Sequence, residues 1–174
     1  MTSKVILVDE NDRPIGEMEK LEAHRTGLLH RAFSVFIFND ENELLLQQRA
    51  YGKYHSGGLW TNTCCSHPVS GETTEAAAAR RLKEEMGFST GLEFVTSFIY
   101  KAELDNGLFE HEFDHVFTGR YNGNPVPDAE EVAGWKYIGL DELATDMAAH
   151  PELYTIWFRL IFSRVKNHST GNQE

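Results

Sequence analysis

No run of apolar residues in the 174-residue sequence approaches the length of a membrane span, so no transmembrane helix is expected. The opening Met1-Thr2-Ser3-Lys4, followed by the short run Val5 to Val8, has neither the apolar h-region nor the cleavage site of a secretory leader. The expected compartment is the cytoplasm. Cysteine is scarce. The two residues, Cys64 and Cys65, are adjacent, so a bridge between them closes no sizeable loop. Packing, metal binding or catalysis remain for the two thiols. Positive charge is in deficit, with 16 Lys and Arg against 27 Asp and Glu and a formal net charge of −11. Neither nucleic acid nor an anionic membrane is an expected partner. An anionic small molecule stays open, because screening over about 8 Å lets a local basic cluster act independently of the total. Repeats, low-complexity tracts and linkers are also missing. A chain of this length with 41% hydrophobic residues fits one domain with its own core.

What is present reads as many strands with a few interposed helices. Val5 to Asp9 and Ile15 to Met18 flank a turn-rich segment and predict a hairpin. Arg31 to Phe38, Glu43 to Arg49, Leu59 to His67, Leu92 to Glu103, Leu108 to Tyr121 and Val132 to Ile138 read as strands. Asn106-Gly107 favours a tight turn between the two longest. A helix is predicted from Thr74 to Met86, with Thr73 as N-cap and Gly87 at the C′ position. Leu140 to Ala149 and Glu152 to Val165 also look helical, and the polar end from His168 looks frayed. The pattern implies a single α+β domain over 1–168, with a tail at 169–174.

Four groups of residues carry chemistry. In an extended Trp60 to Pro68, Cys65 and His67 share one face and Cys64 points away. A thiol beside an imidazole or a metal gains acid–base character, whereas two packed cysteines and a turn histidine are the plainer reading. In the strand around Glu110-His111-Glu112, the acids Glu110, Glu112 and Asp114 line one face and Phe109, Phe113 and Phe117 the other. Stacked acids repel unless water or a cation intervenes, and a solvent-facing edge is the commoner explanation. His111 and His115 fall on the phenylalanine side and read as core or rim histidines. His24 and His30 flank Gly27, which permits a loop turning both inward. Pooled, His24, His30, His67, Glu110 and Glu112 make an N₃O₂ set suited to Zn, Mn or Fe. Last, Arg80-Arg81-Leu82-Lys83-Glu84-Glu85 lies in the predicted helix, where Arg80–Glu84 and Arg81–Glu85 are plausible i,i+4 pairs.

The segment Gly71-Glu72 through Gly87 resembles the Nudix box, but with Ser66 and Arg81 where the box has Gly and Glu. From Val5 to Phe162 the chain resembles the type I isopentenyl-diphosphate isomerases, the metal-dependent branch built on the Nudix fold. The marks are the early histidine pair, Arg49-Ala50, Trp60-Thr61-Asn62-x-x-Cys65-x-His67-Pro68, the altered box, Glu110-x-Glu112 and Trp157. The resemblance implies a mixed β-sheet core sandwiched by helices. It implies Cys65 and Glu112 as the catalytic pair, with Tyr100 beside Glu112. His24, His30, His67, Glu110 and Glu112 would hold a divalent metal, Mn²⁺ or Zn²⁺ or else Mg²⁺. Glu85 would meet a Mg²⁺ bound with the substrate diphosphate, and no flavin is involved. Lys20, Arg49, Lys53 and Arg81 would bind the phosphates, and Trp157 would offer its π-face to a carbocation. Glu112 is expected as acid and Cys65, as thiolate, as base, with the reverse assignment open. A monomer or weak homodimer is expected. A Nudix hydrolase of a nucleoside diphosphate derivative and a non-catalytic metal-binding or redox-sensing module are the competing readings.

Overall fold

The structure, a computed structural model, describes residues 3–171. Its strands are β1 (Lys4–Val8), β2 (Pro14–Glu19), β3 (His30–Phe38), β4 (Glu43–Arg49), β5 (Trp60–Thr61), β6 (Cys64–Ser66), β7 (Leu92–Glu103), β8 (Phe109–Arg120) and β9 (Val132–Gly139). The helices are α1 (Lys20–Thr26), α2 (Thr74–Met86), α3 (Leu140–Ala149) and α4 (Ile156–Gly171). One mixed sheet results, running β2-β1-β3-β4-β5, with β6 and β8 also paired to β3, β7 to β8 and β9 to β4. Strand β3 is apolar almost throughout and buried on both faces, as a central strand must be. Its parallel partner is β8, in a register running from His30↔Glu112 to Phe38↔Arg120.

Alternation along β3 divides the core in two. Phe33, Val35 and Ile37, with Leu45 of β4, pack under α2 against Ala77, Ala78, Leu82 and Met86. Phe36, Phe38, Leu44 and Leu46 face the opposite way, toward α3 and α4. Helices therefore cover both faces of the sheet, as expected. Helix α2 has the predicted bounds and caps: Thr73 Oγ1 accepts from Ala76 N–H at 3.1 Å, and Gly87 closes the helix at φ +81°. A Cβ on Gly87 would meet Val126 O at 2.1 Å, so only glycine fits.

Three boundaries differ from the sequence pattern. The segment read as one strand from Leu59 to His67 is two short strands, because Asn62 and Thr63 turn their side chains into backbone hydrogen bonds with β3 and β4. Helix α1 was not expected. It is a seven-residue helix capped by Glu19 Oε2, which accepts from Glu22 N–H at 3.0 Å, and it is ended by Gly27 at φ +67°. Helix α4 starts at Ile156, after Pro151–Leu153 forms a separate 3-10 turn. It continues to Gly171, past the expected helix end at Val165, and 172–174 lie outside the described residues. Among the described residues no helix is long and apolar enough to cross a membrane.

Candidate active site

Register builds the first half of the site. Tyr100 on β7, Glu112 on β8 and His30 on β3 stand in one row across three strands. Glu110 is two residues away on the same face of β8. The reading of these acids as a solvent-facing edge is wrong. Strand β8 lies between β3 and β7, and Glu110, Glu112 and Asp114 are 4%, 7% and 0% exposed. Ser34 Oγ donates to Asp114 Oδ2 at 2.8 Å, and burial together with the Glu112 charge pushes the Asp114 carboxyl up. His111 and His115 lie on the other face, in contact with Gly27 O at 2.8 Å and Asp12 Oδ2 at 2.9 Å, as rim histidines should.

Five groups converge. His24, His30, His67, Glu110 and Glu112 each offer a ligand atom, all within 4.8 Å of one another. Carbonyls only accept, so the contacts of His24 Nδ1 with Lys20 O (2.6 Å) and of His30 Nδ1 with Leu28 O (2.8 Å) place the proton on Nδ1 in both rings. Both Nε2 lone pairs then point inward, and neither they nor Glu110 Oε2 has a hydrogen-bond partner. His24 Nε2 stands 3.2 Å from Glu110 Oε2, acceptor against acceptor. That opposition is stable only with a cation or an added proton between them. Burial and the neighbouring Glu112 push the Glu110 carboxyl well up, a proton taking the place of positive charge. The donor set thus fits a divalent metal ion.

Cys65 is presented by the polar linkage that interrupts the expected strand. Asn62 Nδ2 donates to Val35 O (3.1 Å) and Cys64 O (3.0 Å), and Thr63 Oγ1 donates to Leu45 O (2.6 Å). Cys64 is turned into the α2 side of the core and fully buried, matching its assignment to packing. Cys65 faces the opposite side. Its S–H donates to Asn62 Oδ1 at 3.0 Å, and the Trp157 indole N–H donates to its sulfur at 3.3 Å. Burial pushes the thiol up to about 12 despite that indole hydrogen bond. Tyr100 O–H donates to Glu112 Oε2 at 2.7 Å, and His67 Nε2 lies 2.9 Å from Glu112 Oε1.

Two adjoining cavities follow. An inner one of about 40 Å³ is lined by Cys65, Tyr100, Glu110, Glu112, His55 and Trp157, among others. An outer one of about 320 Å³ collects Lys20, Arg49, Lys53 and Arg81, with Glu85 at its wall. Lys20, Arg49, Cys65, Ser66 and His67 border both. All thirteen residues singled out from sequence lie on these cavities or in the ligand cluster. Trp157 is at once a core residue, 4% exposed, and part of the inner wall, with the Arg49 guanidinium 5.2 Å from its ring centroid. Sequence reasoning missed His55, whose Nε2 is 3.7 Å from Glu110 Oε1, and Glu131, which pairs with Lys53 and Arg81. It also gave no role to Asn62 or Gln47, although Gln47 Nε2 donates to Glu85 Oε2 at 3.0 Å. The roles of these four rest on partners from distant parts of the chain, so only the folded chain reveals them.

Comparison with known proteins agrees with this geometry. A family model described as NUDIX domain matches residues 28–158. The isopentenyl-diphosphate Delta-isomerase of Burkholderia multivorans is 51% identical over 164 residues, covering 94% of this chain and 93% of that protein. The enzyme of the same name from Pectobacterium atrosepticum is 52% identical over 166 residues, covering 95% and 93%. Among solved structures, a Deinococcus radiodurans protein superposes with a TM-score of 0.72 at 20% identity, covering 84% of this chain and 90% of that one. A MutT protein from Methanosarcina mazei gives 0.67 at 18% identity, covering 81% and 95%, and both of these likenesses speak for the fold alone. Sequence, fold and site agree: the chain belongs to the isopentenyl-diphosphate Delta-isomerase family and is built on the Nudix domain.

Proposed function

We propose that this enzyme interconverts isopentenyl and dimethylallyl diphosphate by adding a proton at the terminal alkene carbon, C4, and removing one from C2. The observation that carries this reading is a single inner cavity bordered by both Cys65 and Glu112 and sharing Lys20, Arg49 and Cys65 with a cation-rich outer cavity. The diphosphate lies in the outer cavity on Lys20, Arg49, Lys53 and Arg81, and the five-carbon tail reaches inward. One member of the Cys65–Glu112 pair delivers the proton to C4. The resulting tertiary cation at C3 then loses a C2 proton to the other member, and the two exchange roles in the reverse direction. Tyr100, donating to Glu112 Oε2, fixes the direction in which that carboxyl faces the substrate.

Acid–base help contributes about 10²–10⁴ in rate, whereas enzymes commonly reach 10⁶ or more. The remainder comes from cation stabilisation and from keeping water out. The Trp157 ring face, which already accommodates the Arg49 guanidinium, is worth about 2 kcal/mol to a desolvated cation. Water near C3 would capture the cation as an alcohol, and Trp157 of α4, in the wall of the inner cavity, opposes that.

His24, His30, His67, Glu110 and Glu112 would hold Mn²⁺ or Zn²⁺, or else Mg²⁺, and Glu85 would contact a Mg²⁺ arriving with the diphosphate. A bound divalent ion supplies positive charge that lowers the basicity of the Glu112 carboxylate and orients it. The reading extends to a cytoplasmic enzyme, monomer or weak homodimer, that uses no nucleic acid or membrane. A net charge of −11 supports the last part. Hydrolysis of a nucleoside diphosphate derivative is disfavoured by Arg81, a cation paired to Glu85 at 2.7 Å where a box carboxylate would stand. Incubation with isopentenyl diphosphate and Mg²⁺ in D₂O, followed by NMR, decides the matter. Dimethylallyl product deuterated at the expected carbons is the outcome anticipated, and phosphate release without deuterium incorporation would reject the proposal.

A further inference from the structure

Within the reading of the outer cavity as a diphosphate site, we infer that Glu131 is an internal competitor anion occupying the cation clamp until substrate displaces it. Glu131 sits immediately before β9, beyond the family marks that located the other site residues. Its carboxylate bridges cations from two different elements. Oε2 pairs with Lys53 Nζ on the loop after β4, and Oε1 lies 3.5 Å from Arg81 Nη2 on α2. Both of those cations line the outer cavity, and so does Glu131 itself.

Backbone contacts set this position independently of the side chain. Ala50 N–H donates to Glu131 O at 3.0 Å, which ties Glu131 to the Arg49–Lys53 loop. Glu131 N–H donates to Asp128 O at 3.0 Å, and Asp128 N–H donates to Glu85 O at 3.0 Å, tying the same turn to the end of α2. The carboxylate therefore stands between the two cations with one oxygen for each, the arrangement that two phosphate oxygens would take. It adds to Glu84 and Glu85, each 2.7 Å from the Arg81 guanidinium, in balancing the cations of the free protein, and it is the acid that reaches both Arg81 and Lys53. It also sets a cost on every anion that needs both of them, and so limits how tightly substrate and product are held.

Isothermal titration of the purified full-length protein with inorganic pyrophosphate in the presence of Mg²⁺ tests the inference. Glu131→Gln keeps the backbone ties and removes the competitor, so pyrophosphate should bind about fivefold to tenfold more tightly. Glu131→Asp keeps the charge but withdraws the carboxylate by one methylene, so it can no longer bridge both cations. A gain of about threefold is expected there, which a simple through-space charge would not produce. Weaker binding in Glu131→Gln would instead make Glu131 a ligand of the incoming Mg²⁺, and unchanged binding in both variants would make the bridge inert. Either result overturns the inference while leaving the diphosphate site intact. Failure of the unsubstituted protein to bind pyrophosphate would overturn the site itself.

Discussion

Cys65 and Glu112 both border one inner cavity: a sulfur presented by the Asn62 linkage and a carboxylate held in a row with Tyr100 and His30. Cys65→Ala should abolish incorporation of solvent deuterium into substrate, with a loss of at least about 10² in rate, while metal and pyrophosphate still bind. NMR in D₂O and titration calorimetry measure the two halves separately. Tyr100→Phe removes the O–H donor to Glu112 and should lower kcat by about 10- to 100-fold, as expected for losing one hydrogen bond to a charged group. The thiol itself has a pH signature. Burial takes Cys65 from an ordinary 9.0 up to about 12, which makes the thiolate about a thousandfold scarcer below pH 9. Alkylation of Cys65 by iodoacetamide should be correspondingly slow and should still rise with pH beyond 9, where a free thiol has levelled off. Peptide mapping by mass spectrometry reads this out. A plateau near 9 would show that the sulfur is more hydrated than its surroundings indicate.

At the scale of elements, the stretch between β5 and β6 matters more than its length suggests. Asn62 makes four contacts, donating to Val35 O and Cys64 O and accepting from Thr61 Oγ1 and Cys65 Sγ. Asn62→Ala should destabilise the fold by about 1–3 kcal/mol, because buried carbonyls lose their donors. It should also depress kcat by freeing the Cys65 side chain. Urea unfolding and steady-state kinetics are the measurements. The same stretch shows where sequence patterning stops being informative. Alternation placed Cys64 and Cys65 on opposite faces correctly, yet it extended one strand through Asn62 and Thr63. Their side chains take over backbone hydrogen bonding there, a tertiary choice with no local signature. Helix α1 was missed for a related reason: seven residues are too few for a periodic stripe, and its stability comes from Glu19, Gly27 and the site it supports.

Across the whole molecule, the ligand cluster gathers side chains from α1, β3, the segment after β6, and β8. The α1–β3 pair, the segment after β6 and β8 lie far apart in sequence and meet only in the folded chain. A divalent ion binding there should stabilise the fold by about 2.7 kcal/mol at a hundredfold excess over its Kd. The midpoint of thermal unfolding should accordingly rise with added Mn²⁺ or Zn²⁺ and fall with a chelator. Glu110→Gln should blunt that response. A midpoint indifferent to metal in the unsubstituted protein would argue that the five groups hold a proton and not an ion.

The amino-acid sequence by itself determined the elements whose information is local. Helix α2 was legible from its caps, β3 from a largely apolar run, and the candidate site residues from motifs of fixed spacing. Which faces would be covered was decided only by tertiary structure. Alternating Glu110, Glu112 and Asp114 look the same in a sequence whether solvent or protein lies opposite, and it is the groups packed over that face of β8, His24 of α1 and His55 of the loop after β4 among them, that bury the acids. The burial of the Cys65 thiol, the approach of His55 to Glu110, and the bridge from Glu131 to Lys53 and Arg81 have the same origin. Electrostatic environment depends on neighbours brought together across long stretches of chain, and no local pattern encodes them.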